Sequence, residues 1–284
     1  MPKREPEQVD PMGNNVQLDE AVMAIMVTDL EVIPELPPDS LILSVTPAGK
    51  SQWVATVKIT VQLYGGQIVE YFKKGATGKA GEGMVKGTME AEQALYTFLS
   101  NRVPKPVAYR KYASRPDTHF YLCQFVEMND QVPSPQDWAA AVSDLHINSM
   151  GKSPTKQFGF HVPTHLANIP INNTWNSSWS AFWAQQMKSM FEIEEHVYGP
   201  DHELEALKLA FINKAIPRYL GPLESEGRSV EPCLIHSDLW PGNIKPRTSS
   251  GELCMFDACA YWGHNEGNFQ CAIHPCDRVL TFAL

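Results

Sequence analysis

Three stretches near the front of the chain, residues 41–45, 53–63 and 68–74, alternate apolar and polar side chains, with Tyr64-Gly-Gly-Gln67 between the last two. A period of two puts alternate residues on opposite faces of a strand, so these stretches predict an antiparallel sheet. Residues 108–112 and 118–128 add two strands joined by Ser114-Arg-Pro-Asp117. Between the two groups, residues 75–87 hold five glycines and few packing side chains, which predicts a mobile loop. Met89, Leu95, Phe98 and Leu99 then recur at helical spacing, and Val103-Pro-Lys-Pro-Val107 ends that helix.

Beyond Pro135 the period is helical. Residues 135–146 open behind Ser134 as N-cap and bury Trp138, Val142 and Leu145, with His146 read as a packed or capping residue. Residues 179–197 form a second helix whose Trp179, Phe182, Trp183 and Phe191 read as core, and 202–220 form a third that stops at Gly221-Pro222. Ahead of the sheet, residues 18–30 predict a short helix with Asp19 and Glu20 in its first turn, ended by Pro34, Pro37 and Pro38. The pattern is α+β: a disordered segment over 1–17, a sheet-rich lobe over 18–128 and a mainly helical lobe over 129–284.

A chain of 284 residues with 43% hydrophobic and 19% charged residues holds one large domain or two lobes. Its net charge of −9 argues against a nucleic-acid partner, because phosphate neutralisation needs clustered Lys and Arg. Met1-Pro-Lys-Arg-Glu-Pro-Glu7 reads as neither a signal peptide nor a membrane span, and the six cysteines form no Cys-x-x-Cys pair, so a cytosolic setting is expected. Cys271, His274 and Cys276, with Cys259 and His264 nearby, match no common zinc spacing and read as free thiols and loop histidines.

Candidate chemistry lies in Leu234-Ile-His-Ser-Asp-Leu-Trp-Pro-Gly-Asn-Ile244 and Leu253-Cys-Met-Phe-Asp-Ala258. Asp238 can take a proton from a hydroxyl, while Asn243 and Asp257 offer hard oxygen ligands to Mg²⁺, which suits a metal-bound nucleoside triphosphate. The competing reading is a hairpin in which Pro241-Gly242-Asn243 is simply turn chemistry. Pro47-Ala-Gly-Lys-Ser51 invites comparison with a phosphate-binding P-loop, but Ser44 stands where the first Gly belongs and strand residues follow, so it reads as a hairpin turn.

The run from Leu234 to Asn243, followed by Phe256-Asp-Ala-Cys-Ala-Tyr-Trp-Gly-His-Asn-Glu266, resembles the fructosamine/ketosamine kinase family. That family is a branch of the aminoglycoside-phosphotransferase group with a protein-kinase-like fold. Its pattern reads His-Gly-Asp-Leu-Trp-x-Gly-Asn, then Asp-x-x-x-x-Tyr-Gly-His-x-Glu. Phe158-Gly-Phe-His161, Trp175 and Ser178-Trp179-x-x-Phe182 match a second block.

The resemblance implies ATP and Mg²⁺ as cofactors, with Asp238 as catalytic base and Asn243 and Asp257 at the metal. It places Lys74, in preference to Lys73, on the phosphates, with Lys50 or Ser51 on the turn above them. It makes Phe125, Glu127 and Met128 part of the nucleotide hinge, and sets Trp240, His161 and Trp175 beside the acceptor. The acceptor implied is a ketosamine, free or on protein lysines, phosphorylated at its C3 hydroxyl.

Three departures stand out. Ser237 replaces the family's Gly, and Thr88 falls on the expected helix glutamate, leaving Glu90 or Glu92 as substitute. Similarity stops after Glu266, so residues 267–284 read as an alternative end lacking closing helices. A nucleotide-binding or interaction module that does not turn over, or a kinase of an aminoglycoside- or choline-type acceptor, remains the alternative.

Overall fold

The computed structural model describes residues 32–49, 51 and 53–269. The disorder expected over 1–17 and the helix over 18–30 lie outside these residues, as do Lys50 and the tail from residue 270. The front of the chain folds as the alternation predicts. Strands β1 (Leu41–Pro47), β2 (Ala55–Gln62), β3 (Ile68–Thr77), β4 (Pro106–Lys111) and β5 (Thr118–Gln124) form one antiparallel sheet in the order β1-β2-β3-β5-β4.

Alternate residues of this sheet serve two different cores. Val57, Ile59, Val61, Phe120 and Leu122 pack on one face. Val54, Ala76, Tyr121 and Cys123 pack on the other, against Met84 and Val85 of helix α1 (Gly78–Phe98). The adjacent lysines of β3 part the same way. Lys73 is buried with its Nζ 5.3 Å from the ring centres of both Tyr112 and Phe120, while Lys74 emerges on the α1 face.

The glycine-rich stretch is the main correction. Residues 75–77 finish β3 and Gly78 starts a 21-residue helix, so no mobile loop separates them. Glycine is the weakest helix former after proline, and a reading by propensity therefore breaks the helix there. Close packing overrides propensity. A Cβ on Gly81 would sit 2.8 Å from the Ala76 Cβ, and one on Gly87 would sit 2.9 Å from the Pro163 carbonyl oxygen and 3.2 Å from the Thr164 Cα. Alanine normally improves a helix by about 1 kcal/mol over glycine. At Gly87 the order reverses, and Gly87→Ala is expected to cost about 1–3 kcal/mol through overpacking, read as a lower urea midpoint.

The second lobe holds α2 (Pro135–Ser149), α3 (Trp179–Tyr198), α4 (His202–Ala210) and α5 (Ile216–Leu220). Ser134 caps α2 by accepting the Asp137 N–H at 3.1 Å, as expected. The helix expected over 202–220 is broken by a π turn, Phe211–Ala215, just before Pro217, which cannot donate to the helical ladder. Short hairpin strands complete this lobe: β6 (His165–Leu166) pairs with β7 (Ile169–Pro170), β8 (Cys233–Ile235) with β11 (Tyr261–Gly263), and β9 (Ile244–Pro246) with β10 (Leu253–Met255). Helix α1 ties the lobes together. Ala91 and Leu95 from its C-terminal half, with Leu99 at its C-cap, join Trp138, Leu145, Phe182, Leu234 and Met255 in one core.

Candidate active site

Strand β8 delivers the chain into the loop 236–243, and β10 delivers it to Asp257. His236 is fully buried; its Nε2 lies 3.0 Å from the Phe256 carbonyl and its Nδ1 accepts the Asp238 backbone N–H at 3.3 Å. That pairing sets the tautomer: Nε2 carries the proton and the ring is neutral. Burial pushes its pKa down to about 4, against the raising influence of the Phe256 carbonyl and Asp257. Asn243 is locked to the same loop, its Nδ2 donating to Asp238 Oδ2 at 3.0 Å and to the Asp238 carbonyl at 2.8 Å. The Asn243 carbonyl in turn accepts the Phe256 N–H at 3.0 Å, so the two hairpins are stitched beside the candidate residues Asp238, Asn243 and Asp257.

Ser237 and Asp257 both have left-handed backbone, at φ 64° and 58°. Here lies the strain that the Gly-to-Ser departure implied. Holding a side chain in that region costs about 1–2 kcal/mol, so Ser237→Gly is expected to raise stability by about 1 kcal/mol, measured by equilibrium unfolding.

Lys74 Nζ pairs with Asp257 Oδ1 at 2.5 Å and meets Thr88 Oγ1 at 3.3 Å. Burial works against the lysine's charge, but the Asp257 carboxylate outweighs it and leaves the pKa raised. Lys74 likewise holds Asp257 below its ordinary value, burial pulling the other way. Of the two helix carboxylates left open, Glu92 is the one at the cleft. It is buried, accepting the Tyr121 hydroxyl at 2.5 Å and the Asp257 backbone N–H at 2.9 Å. Burial pushes it up to about 7 despite these donors. Glu90 lies 2.9 Å from His161 Nε2 instead.

These groups open onto a cavity of about 540 Å³ between the lobes, lined by Lys74, Thr88, Glu92, Asp238 and Asp257. Gly49 and Ser51 line it from the β1–β2 turn, where Ser51 Oγ accepts the backbone N–H of Trp53 at 3.2 Å and of Val54 at 3.3 Å. Phe125 and Met128 line the hinge side together with Val126. Glu127 is exposed and outside the lining; its carbonyl takes the Thr248 N–H at 2.9 Å. Asn243 is buried behind the wall, one hydrogen bond from Asp238.

The aromatic trio does not reach the cavity wall. Trp240 is 43% exposed and folds over Gly242, His161 sits with Glu90, and Trp175 packs on Gly159. Sequence reasoning missed Tyr121, His165 and Lys245, all of which line the cavity. Tyr121 was recoverable, because it lies on the same face of β5 as Cys123 and pairs directly with Lys74. His165 comes from a two-residue strand with no periodic signal.

Among the described residues no group of three His, Cys, Asp or Glu side chains is placed to hold a metal. The described thiols Cys123, Cys233, Cys254 and Cys259 are buried and unbridged. No described helix is long and apolar enough to cross a membrane.

A lysine on a five-stranded sheet, a helix carboxylate behind it and an Asp-Asn-Asp set on two hairpins below define the two-lobe, protein-kinase-like fold. The chain belongs to the fructosamine kinase family, whose model matches residues 49–274. It is 28% identical over 211 residues to the chloroplastic protein-ribulosamine 3-kinase of Oryza sativa subsp. japonica, covering 74% of this chain and 58% of that protein. It is 35% identical over 206 residues to the ketosamine-3-kinase of Mus musculus, covering 64% and 62%. The chain thus spans about three-fifths of the length of these curated relatives.

Among solved structures, a candidate fructosamine-3-kinase from Thermobifida fusca YX-ER1 superposes with a TM-score of 0.59 at 19% identity, covering 80% of this chain and 72% of that one. The GDP complex of aminoglycoside 2'-phosphotransferase-IIIa does so at 0.51 and 13% identity, covering 89% and 77%. At these identities the likeness is one of fold.

Proposed function

We propose that the chain is an ATP-dependent ketosamine 3-kinase. The observation that carries this reading is the meeting of Lys74, Asp238 and Asp257 on one cavity of about 540 Å³, with Asn243 bonded to Asp238 directly behind. That volume is in the range of nucleotide-sized pockets. Lys74 clamps the phosphates, Phe125 and Met128 flank the base, and Ser51 lies on the turn above.

A metal fits the donor chemistry. Asp257 is kept ionised by Lys74, and Asn243 adds an amide oxygen. Two protein oxygens are few for a self-sufficient cage but suit Mg²⁺, which usually takes its remaining ligands from phosphate and water. When bound there, it would neutralise charge on the transferring phosphoryl group. Asp238, oriented by the Asn243 amide and by its own N–H on His236, accepts the proton of the acceptor hydroxyl.

The relatives' names support a ribulosamine or fructosamine adduct, free or on a protein lysine, as acceptor. Trp240, His161 and Trp175 lie outside the cavity wall, where they would meet the carrier of the sugar and not its reacting hydroxyl. A reducing compartment such as the cytosol suits the four buried thiols. Incubation with Mg²⁺, ATP and either ribulosyl-lysine or fructosyl-lysine is expected to release ADP and place phosphate on the C3 hydroxyl, seen by ³¹P NMR. Nucleotide-dependent thermal stabilisation without ADP release from either acceptor would instead identify a binding module.

A further inference from the structure

Glu92 stands on the helix behind Lys74, yet its two oxygens are engaged elsewhere. Oε2 accepts the Tyr121 hydroxyl at 2.5 Å, and Oε1 accepts the Asp257 backbone N–H at 2.9 Å. The helix group that touches Lys74 is the Thr88 hydroxyl, at 3.3 Å, itself donating to the Met84 carbonyl at 3.0 Å. The carboxylate of Asp257 is what pairs with the lysine. Three segments far apart in sequence, β5, α1 and the loop after β10, are therefore joined through one side chain.

We infer that Tyr121 is a positioning residue, holding Glu92 so that it fixes the Asp257 backbone and aims its carboxylate. The inference rests on the kinase reading for what Asp257 is aimed at. A buried phenol needs only some acceptor. Here the acceptor is a carboxylate whose other oxygen carries the amide of a non-glycine residue at φ 58°. Aspartate is one of the few residues that enter the left-handed region, but its carboxylate here is engaged by Lys74, so the external hydrogen bond to its N–H is what ties the backbone that aims that side chain. Tyr121 pairs with Lys74 across the sheet, which ties both partners of the Lys74–Asp257 pair to a single rung of the ladder. Burial makes the strut stiff, as Tyr121 is 1% exposed and Glu92 3%.

Tyr121→Phe removes only the hydroxyl and keeps the ring in its core. Amide hydrogen exchange of the uncomplexed protein is expected to be at least about tenfold faster at Asp257 in this variant. The nearby Cys259 amide, bonded to the His236 carbonyl at 3.0 Å, serves as the internal reference and is expected to be unchanged. In turnover, the Mg²⁺ concentration for half-activation is expected to rise about fivefold while KM for the ketosamine stays the same, a split that general loosening of the fold does not produce. Glu92→Gln, which can still accept from the Asp257 N–H while donating to the Tyr121 oxygen, is expected to keep the slow exchange; Glu92→Leu is expected to lose it. Unchanged exchange at Asp257 in Tyr121→Phe, or equal acceleration at Cys259, overturns the inference. A wild-type chain that turns over no ketosamine yet shows the selective exchange effect removes the kinase reading and leaves the strut standing.

Discussion

Replacing Asp238 by Asn is expected to lower ketosamine turnover about 10³-fold, the usual size of a lost general base. The substitution preserves shape. An asparagine can turn its amide oxygen toward Asn243 Nδ2, which now donates to Asp238 Oδ2 at 3.0 Å, and the backbone N–H at this position still reaches His236. What disappears is the ability to accept a proton. The loss should therefore fall on kcat, with nucleotide affinity and melting temperature close to wild type. A coupled ADP assay beside calorimetric titration of Mg²⁺-ATP separates the two. Retention of more than about a tenth of wild-type kcat would remove Asp238 from the role of base.

Acidification from pH 7 to pH 5 is expected to cost about 2 kcal/mol of stability, a net figure from opposing groups. His236 and His146 are both buried, and burial pushes each from 6.5 to about 4, aided at His146 by the charge of His264. Between those values the unfolded chain binds protons that the folded chain refuses. Stability is thus full above pH 6.5 and drains as pH falls towards 4, each histidine costing about 2 kcal/mol over the interval from 7 to 5. His264 and His119, also lowered chiefly by burial, pull the same way.

Glu92 has the opposite sign. Burial raises it from 4.5 to about 7, so the folded state holds a proton that the unfolded state releases, and acidification to pH 5 returns about 2 kcal/mol. Glu92→Gln removes that compensation. Its loss between pH 7 and pH 5, measured by urea unfolding, should be about twice that of wild type. Equal losses in the two proteins, or a wild type more stable at pH 5, would show that these burial effects are not what sets the pH response.

Much of the architecture is legible in the sequence. The alternation over 41–74 is the sheet, Ser134 is the cap of α2, and Lys74 faces the cleft while Lys73 turns into the aromatic core. The position of Ser237 needs the backbone that its departure from Gly implied. Other readings failed for an identifiable reason. Glycines at 81 and 87 mark helix positions cut back for close neighbours, not a loop; Gly81 makes room for Ala76, and the neighbour of Gly87 lies about 75 residues further along the chain at Pro163 and Thr164. Trp240, His161 and Trp175 do not share a wall of the cavity, because each is drawn to a different partner, Gly242, Glu90 and Gly159.

What the linear order of residues determined by itself was what short-range period governs: two strand faces and the helix starts at Pro135 and Trp179, with Asp238, Asn243 and Asp257 marked as candidates by their spacing. Tertiary structure alone decided between Glu90 and Glu92, gave Thr88 to Lys74, and brought Tyr121 onto the carboxylate that holds the Asp257 amide. A helix presents Glu90 and Glu92 on different sides, and only the packing of α1 on the second lobe, through Ala91 and Leu95 and the close approach at Gly87, settles which side meets the cleft.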